Sequence, residues 1–367
     1  MEQPEDLASS YDPVTAYEQA VSEYLQGHYA QAVPLFDQAR QVFDDNPRYH
    51  AFAGSACYEL GDLVSARAHF ARALELSPDD PDLLWKLGNC SYLLGQTDEA
   101  ADYYRRAIQA NLDNGLYYYS LARLLLNQGG RLDEAVQLLR RAVELSPDNP
   151  EYLNRLGVAL YARGERQEAL ERFRQAHLLN PLEAEYLFNM GCALTHMARY
   201  VEASEALQQA LKLDPEKPEY WGRLGAVLFA LDAGELAIDT LNKAIELDPD
   251  NPYYYEVLAG VYFQNDRFEE AGNALQQAIL LDPRRAEYRY NLGMAHLALA
   301  RFSEAVAAFQ KAVQLKGDVA EYNHNLALAL WMDNRRDEAR QALEKALALA
   351  PDRQEIRRTA QEFQSAG

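Results

Sequence analysis

Apolar residues recur along the chain at spacings of three, four and seven positions, which is the pattern of amphipathic helices. The clearest stretch carries two such stripes in succession: Leu153, Leu156 and Leu160, then Leu170, Phe173 and Ala176. Gly164 lies between the stripes and Pro181 follows the second one. Both residue types favour helix ends. The pattern therefore predicts two antiparallel helices joined by a short turn.

This two-helix unit repeats with a period of 34 residues. One alanine marks the period ten times, with a single step of 35: Ala32, Ala66, Ala100, Ala135, Ala169, Ala203, Ala237, Ala271, Ala305 and Ala339. A second alanine follows each of them seven residues later, and a large apolar residue such as Phe173 lies between the two. A fixed period of this size is typical of stacked repeats, in which each unit packs on its neighbours.

Small residues mark the expected close contacts and turns of each unit. Gly or Ala, as at Gly157, is expected where two helix axes cross, because a larger side chain would separate the backbones. Gly61, Gly95 and Gly164 are expected to end first helices in the left-handed conformation, which costs glycine little. A proline such as Pro181 is expected to end the second helix, because it cannot donate to the helical hydrogen bonds.

The unit resembles the tetratricopeptide repeat (TPR), with its small residue, alanine, aromatic residue, alanine and proline. Repeat five reads Pro150-Glu151-Tyr152-Leu153-Asn154-Arg155-Leu156-Gly157, followed by Ala169, Phe173, Ala176 and Pro181. The resemblance covers residues 13–351 and implies an all-α fold, an α-solenoid that forms a right-handed superhelix of ten TPR helix-turn-helix repeats. A flexible acidic N-terminal arm is expected over residues 1–12, and a C-terminal capping helix over residues 352–367.

Some repeats depart from this pattern. Leu112 and Gly317 replace the closing proline of repeats three and nine, and Gly129-Gly130 adds one residue to the expected turn of repeat four. Pro34 falls inside the second helix of repeat one, and Pro47 comes three residues late. An interior proline costs about 3 kcal/mol in a regular helix, so this helix is expected to be kinked or to begin late. The irregular first repeat is also a candidate contact in a homo-oligomer.

The charge balance narrows the classes of partner. The chain has 35 basic and 56 acidic residues, a net charge of −21, whereas nucleic-acid binding needs a basic footprint. No apolar run approaches the roughly 18 residues of a membrane span. The start of the chain is acidic and lacks the features of a secretory signal, so a cytoplasmic protein is expected. Cys57, Cys90 and Cys192 are unpaired in spacing and are expected to be reduced, packed thiols.

No catalytic motif or cofactor site is evident, so the chain is not expected to be an enzyme. Cys192 and His196 are four residues apart on one helix face, but no further metal ligand lies near them in sequence, and packing is the expected role. Tyrosine recurs at one place near the start of the first helix and is expected to pack between repeats: Tyr117, Tyr152, Tyr186, Tyr220, Tyr254, Tyr288 and Tyr322.

The resemblance implies that first helices line a concave groove, where an extended peptide or a partner's helix binds. Cations expected to pair with acidic groups there are Lys86, Arg123, Arg155 and Arg223. Amides expected to pair with a peptide backbone are Asn89, Asn189, Asn291 and Asn325. Aromatic residues expected to be exposed as apolar anchors are Trp85, Phe188, Tyr290 and Trp331. The asparagines resemble the ladder that lines the repeats of O-linked N-acetylglucosamine transferases, and nothing resembles that enzyme's catalytic domain.

Two other resemblances bear on function. Hsp90/Hsp70 co-chaperones hold carboxylates with a Lys and Asn clamp, but Trp85 and Ser120 stand where that clamp needs Lys and Asn. The segments Tyr24–Tyr29, Gly54–Cys57 and Leu87–Cys90 resemble the three-repeat chaperones of type III secretion translocators. We therefore expect a non-catalytic scaffold or adaptor that binds a protein or peptide. The alternatives are a cytoplasmic chaperone of a secretion substrate, or a regulatory subunit of a separately encoded transferase.

Overall fold

A computed structural model describes residues 12–365. These residues form helices joined by short turns, and no strand occurs among them. The helices are α1 Pro13–Leu25, α2 Tyr29–Phe43, α3 Pro47–Glu59, α4 Leu63–Leu76, α5 Pro81–Leu93, α6 Thr97–Ala110, α7 Gly115–Gln128, α8 Leu132–Leu145, α9 Pro150–Arg163, α10 Arg166–Leu179, α11 Ala184–His196, α12 Tyr200–Leu213, α13 Pro218–Ala230, α14 Gly234–Leu247, α15 Pro252–Gln264, α16 Phe268–Leu281, α17 Ala286–Ala298, α18 Phe302–Leu315, α19 Ala320–Met332, α20 Arg336–Leu349 and α21 Gln354–Ser365.

The expected all-α fold of ten helix-turn-helix repeats is confirmed for the described residues. Each odd-numbered helix from α1 to α19 packs most extensively on the even-numbered helix that follows it. Contacts divide the chain into two compact units, one up to Asn180 and one from Pro181. The first unit holds repeats one to five, and the second holds repeats six to ten with α21. No helix within residues 12–365 combines the length and the apolar character needed to cross a bilayer.

The small residue of the first helix faces the large residue of the second, as predicted. A Cβ atom added to Gly157 would lie 2.5 Å from Cε1 of Phe173, and one added to Gly293 would lie 2.6 Å from Cε1 of Phe309. Neither ring has room to retreat, because Phe173 and Phe309 are almost fully buried. Glycine at these places therefore fixes how closely the two helices of a repeat approach.

The turn inside each repeat requires a left-handed backbone, which glycine supplies in the first unit. Gly61, Gly95 and Gly164 have φ of 81°, 77° and 90°, as predicted. The second unit uses residues with side chains at the equivalent place, and Ala198 and Ala300 have φ of 56° and 55°. The turn geometry is thus set by the packing of the two helices, because residues other than glycine adopt the same left-handed conformation at this place.

From repeat two onward, second helices end at one place whether or not a proline follows. In repeat five α10 ends at Leu179, two residues before Pro181. In repeats three and nine, α6 and α18 end equally far before Leu112 and Gly317. First helices often begin with a capped proline, as where the Asp80 carboxylate accepts hydrogen bonds from the backbone N–H groups of residues 82 and 83 at 3.0 and 3.2 Å.

Repeat one corrects two expectations. Its second helix does not begin late, since α2 starts at Tyr29 and runs without interruption through Pro34 to Phe43. The missing N–H leaves the carbonyl of Ala30 without its usual helical donor. Pro47 does not close α2 but occupies the first turn of α3, where a missing N–H costs little. The expected acidic arm lies outside the described residues, apart from Asp12, whose carboxylate caps α1.

The last helix, α21, packs on the end of the second unit through an apolar stripe. Ile356 and Phe363 are buried, and the Phe363 ring stacks on Trp331 of α19 with centroids 3.8 Å apart. His324 of α19 also reaches α21, with 2.9 Å between its Nε2 and Oγ1 of Thr359. The apolar stripe of α21 covers surface that the tenth repeat would otherwise expose, and the polar side of the helix faces solvent.

Candidate functional site

Within each unit the first helices of neighbouring repeats approach one another. Helix α1 contacts α3 and α7 contacts α9 in the first unit, while α13 contacts both α11 and α15 in the second. Successive second helices are in no comparable contact within residues 12–365. Each unit therefore curves with its first helices on the inner side. We call the solvent-facing side of the first helices of each unit, α1 to α9 in the first and α11 to α19 in the second, its inner face.

In the first unit, Lys86 and Trp85 of α5 are held by serines of the neighbouring repeats. The Lys86 ammonium donates to Oγ of Ser55 at 2.9 Å and lies 5.4 Å from the centroid of the Phe70 ring. The Trp85 indole N–H donates to Oγ of Ser120 at 2.9 Å. Burial lowers the pKa of Lys86, against the opposing effect of nearby aspartates. Both side chains are half-buried and fixed in orientation.

Asn89 differs from the expectation that it is an exposed amide. It is only 8% exposed, and its Oδ1 accepts a hydrogen bond from the hydroxyl of Tyr104 at 2.6 Å. The amide oxygen is thus committed to the second helix of its own repeat. Arg123, in the next repeat, lies over two aromatic rings, 5.4 Å from the Tyr92 centroid and 5.9 Å from the Tyr119 centroid.

A tyrosine and a glutamate join repeats four and five on the inner face. Tyr119 stacks on Tyr152 with ring centroids 4.8 Å apart and donates its hydroxyl to Glu151 at 3.0 Å. The same carboxylate accepts from Nε of Arg155 at 2.8 Å. Burial and the Glu151 charge raise the pKa of Tyr119. Arg155 therefore already has an acidic partner, which competes with any acidic ligand.

The second unit repeats this arrangement. Tyr290 stacks on Tyr322 of the next repeat at 4.7 Å and donates to Glu321 at 2.9 Å. The Asn325 amide donates to the Tyr290 hydroxyl at 2.9 Å and to the Glu321 carbonyl at 3.1 Å. Phe188 stacks in the same way on the tyrosine of the next repeat, Tyr220, at 4.6 Å. These aromatic residues therefore stabilise the contact between repeats as well as lining the inner face.

The other predicted residues of the second unit lie in varied surroundings. Asn189 and Asn291 are half-buried on the inner face. Arg223 lies beside the thiol of Cys192, whose pKa burial raises more than Arg223 lowers it. Trp331 is half-buried and lies between Phe363 and the guanidinium of Arg336, which is 3.7 Å from its ring centroid. The expectation that the four aromatic anchors are exposed is wrong, because all four are partly covered by neighbouring side chains.

Of the four cations predicted for the inner face, three have no carboxylate within 4.0 Å among the described residues: Lys86, Arg123 and Arg223. Many arginines of the second helices are paired, as where Arg140 binds Glu168 at 2.7 Å. The inner face therefore keeps positive charge available, although the chain as a whole is strongly acidic. Within residues 12–365 no cluster of three or more ligating side chains suits a metal ion, and the three cysteines are free and buried.

Sequence reasoning missed the partners that hold these side chains. Ser55, Ser120, Glu151 and Glu321 orient or neutralise inner-face residues. A signal was present for the glutamates, because each precedes by one place the tyrosine on which the previous repeat stacks. Both Tyr119 and Tyr290 occupy the fifth place of their repeats. A tyrosine at the fifth place followed by a glutamate at the second place of the next repeat predicts this contact.

Three family models, each described as tetratricopeptide repeat, match the chain. The first matches residues 17–81, 92–150 and 257–320. The second matches residues 126–187 and 194–261, and the third matches residues 320–353. The matched residues of the first model alone amount to half of the chain. No curated protein matches the chain.

Solved structures with a similar arrangement include YrrB, "a TPR protein with an unusual peptide-binding site". It shares 25% sequence identity over 49% of this chain and 92% of its own, with a TM-score of 0.44. MamA from Desulfovibrio magneticus shares 26% identity over 46% of this chain and 94% of its own, with a TM-score of 0.44. Yeast Tom70 shares 15% identity over 96% of this chain and 95% of its own, also with a TM-score of 0.44.

Proposed function

Because this chain belongs to the tetratricopeptide repeat family, whose members generally mediate protein–protein interactions, we propose that it is a non-catalytic scaffold or adaptor. It binds an extended peptide or a helix of a partner protein on the inner face. The residues proposed to contact the partner first are Lys86 and Arg123 in the first unit and Arg223 in the second. Trp85 and the half-buried aromatic residues of the other repeats supply the apolar part of the contact.

The observation that carries this proposal is the set of cations without a carboxylate partner beside aromatic rings. In a chain of net charge −21, a cation on the surface finds acidic neighbours easily. Lys86 and Arg123 instead lie over the rings of Phe70 and Tyr92, each 5.4 Å from the ring centroid. A ligand carboxylate would restore the missing partner, and a charge-assisted hydrogen bond of this kind stabilises by about 1.5–3 kcal/mol.

Charge reversal of the inner face tests this function. A peptide array of acidic, neutral and basic extended sequences is probed with the full chain and with the double variant Lys86→Glu/Arg123→Glu. We expect acidic peptides to bind the natural chain and to lose at least about tenfold in affinity with the variant. The matched control is Lys311→Glu/Lys345→Glu, which makes the same charge change at exposed positions of second helices. Equal losses for both variants would refute binding on the inner face.

The alternatives use the same surface and differ in what they bind. A secretion chaperone would keep one aggregation-prone client soluble at fixed stoichiometry, whereas an adaptor is stable alone and binds several partners. Co-purification from cells that express candidate clients separates the two. A regulatory subunit of a transferase would instead change the activity of a separately encoded enzyme. The cytoplasmic location and the homo-oligomer through repeat one remain predictions, to be tested by fractionation and by sedimentation.

A further inference from the structure

Two adjoining cavities open on the inner face of repeats one to three. Their volumes are about 140 and 330 Å³, and they share three lining residues, Tyr24, Ser55 and Lys86. The smaller lobe is otherwise lined mainly by aromatic residues: Tyr58, Phe70 and Trp85, with Glu59 and Asn89. The larger lobe is completed by Arg48, Ala51 and Phe52. We call the two lobes together the Lys86 cavity.

The Lys86 ammonium is the central polar group of this cavity. One of its hydrogens is donated to Oγ of Ser55, whose own hydrogen is donated to the carbonyl of Ala51 at 2.8 Å. The only hydrogen of the serine hydroxyl is thus committed to Ala51, and the ammonium keeps two N–H groups without a described carboxylate partner. Burial lowers the pKa of Lys86, whereas Asp82 and Asp80 raise it. A partly desolvated cation of this kind gains most from a carboxylate that enters with its ligand.

The aromatic walls of the cavity are held in place by their neighbours. Phe70 is only 1% exposed, and the Trp85 indole is fixed by its hydrogen bond to Ser120. Tyr24 packs edge-on against Phe52 with ring centroids 5.7 Å apart. Flat rings held in place bind a large apolar side chain without losing much conformational freedom of their own. The smaller lobe therefore suits an aromatic or long aliphatic group.

A second donor lies at the same lobe. The Oδ1 atom of Asn89 is occupied by the Tyr104 hydroxyl, and its Nδ2 has no acceptor among the described residues. An amide N–H in this position can donate to a backbone carbonyl of an extended peptide. The cavity thus offers an apolar wall, a cation and a peptide donor together. Arg48, at the larger lobe, adds a second positive charge.

We propose that the Lys86 cavity is a subsite for a segment of a partner protein in which a large apolar side chain lies two residues from an Asp or Glu. The inference rests on the proposed function and names the class of peptide. In an extended chain, side chains two positions apart point to the same side and are about 7 Å apart. One can therefore fill the aromatic lobe while the other reaches Lys86 and Arg48.

Fluorescence anisotropy with short labelled peptides tests the proposal. The probes are Gly/Ser-flanked peptides containing Phe-Ser-Glu, Phe-Ser-Gln or Ala-Ser-Glu, titrated with the full chain. Loss of the carboxylate or of the ring is expected to weaken binding by about tenfold or more in each case. In the Lys86→Gln variant the preference for Glu over Gln should disappear. In the matched variant Arg123→Gln, which lies outside the cavity, the preference should remain.

Each outcome supports or overturns the subsite. If Arg123→Gln removes the Glu preference and Lys86→Gln keeps it, the inner face binds acidic peptides but the Lys86 cavity is not the place. If acidic arrays bind and none of the three probes is discriminated, the subsite is wrong and the proposed function stands. If no acidic peptide binds at all, both fail. The peptide comparison with the natural chain needs no variant, so misfolding of Lys86→Gln cannot mask the result.

Two further measurements test for other occupants of the cavity. A synthetic peptide of residues 1–11, which is acidic and contains Leu7 two residues after Glu5, is a fourth probe. Tighter binding of this peptide than of Phe-Ser-Glu would assign the cavity to the chain's own N-terminal segment and overturn the proposal. A sedimentation coefficient that rises with concentration and falls on addition of Phe-Ser-Glu would assign it to a second copy.

Discussion

The ring of Phe173 occupies the space that a side chain at position 157 would need, since a Cβ atom there would lie 2.5 Å from Cε1. Gly157→Ala should therefore destabilise repeat five. Overpacking in a core costs about 1–3 kcal/mol, which exceeds the gain of about 0.5–1 kcal/mol from replacing a helical glycine. Hydrogen exchange of the amides in α9 and α10 measures the local loss, because two compact units need not unfold together.

Gly272→Ala is the matched control for this substitution. The glycine lies in α16, and the nearest atom to an added Cβ is Cδ1 of Leu292 at 3.7 Å, an ordinary contact. The variant should raise the free energy of opening of repeat eight, measured by hydrogen exchange, by about 0.5–1 kcal/mol. If both alanines stabilise the protein, the space beside Phe173 is not restrictive and the account of helix approach is wrong.

Replacing the left-handed alanines of the second unit by glycine should stabilise the protein. Ala198 and Ala300 have φ of 56° and 55°, a conformation that costs a residue with a side chain roughly 1–2 kcal/mol. Glycine removes this cost and adds about 0.5–1 kcal/mol of unfolded-state entropy. The double variant Ala198→Gly/Ala300→Gly should melt at a higher temperature. Ala68→Gly, at an exposed helical position, should lower the melting temperature and provides the comparison.

Acidification should loosen repeat two through a pair of histidines. The Nδ1 atoms of His50 and His69 are 3.0 Å apart, and Nε2 of His50 lies 2.9 Å from the carbonyl oxygen of Asp44. Since that oxygen can only accept, His50 carries its hydrogen on Nε2, and its Nδ1 accepts from His69. Burial, then the charges of His50 and Arg40, lower the pKa of His69 below 6.5, against the opposing effect of Asp37 and Asp44.

The direction of this pH effect follows from linkage. Well above pH 6.5 His69 is neutral in the folded and the unfolded chain, so its contribution to stability does not change with pH. As the pH falls below 6.5, the unfolded chain takes up the proton first, and the free energy of unfolding of repeat two decreases. Hydrogen exchange of α3 and α4, corrected for intrinsic rates, should show this between pH 7.5 and 5.0. Helices α13 and α14 contain no histidine and should not respond.

Removing the ring of Phe363 should detach the last helix. Its stacking on Trp331 is close and nearly parallel, with an interplanar angle of 10°. Phe363→Ala removes a buried ring, a change that costs about 3–5 kcal/mol in a core. We expect fast exchange throughout α21 and a red shift of tryptophan fluorescence as water reaches Trp331. Gln361→Ala, on the exposed side of α21, should leave both signals unchanged.

Much of the fold follows from the sequence because ten copies of one pattern can be compared, and each copy supports the assignment of the others. The helix pairs, the glycine opposite Phe173 and the turns at Gly61 and Gly164 are all confirmed. A single copy would have misled, as repeat one shows: Pro34 argued for a kinked or a late helix, and the late start is excluded because α2 begins in the common register. Packing on neighbouring helices outweighs the local cost of one proline.

The inner face was less predictable, because the state of each side chain depends on residues one repeat away. Asn89 is buried because the large residue opposite it is Tyr104, whose hydroxyl reaches its amide, whereas repeats two and five have phenylalanine at this place. Arg155 and Arg223 occupy equivalent places, but among the described residues only Arg155 binds a glutamate in its own helix, Glu151 at 2.8 Å. Repeat periodicity predicts position, and the particular neighbours decide which groups remain available.

The doubled glycine of repeat four has a practical consequence. Gly129 and Gly130 have φ of 70° and 91°, and an added Cβ at either would meet no atom within 4 Å. The following alanine marker returns to the 34-residue step, from Ala135 to Ala169. One additional residue has thus been accommodated without shifting any later helix. A fluorophore or short epitope inserted into this turn would lie away from the surfaces through which the repeats pack.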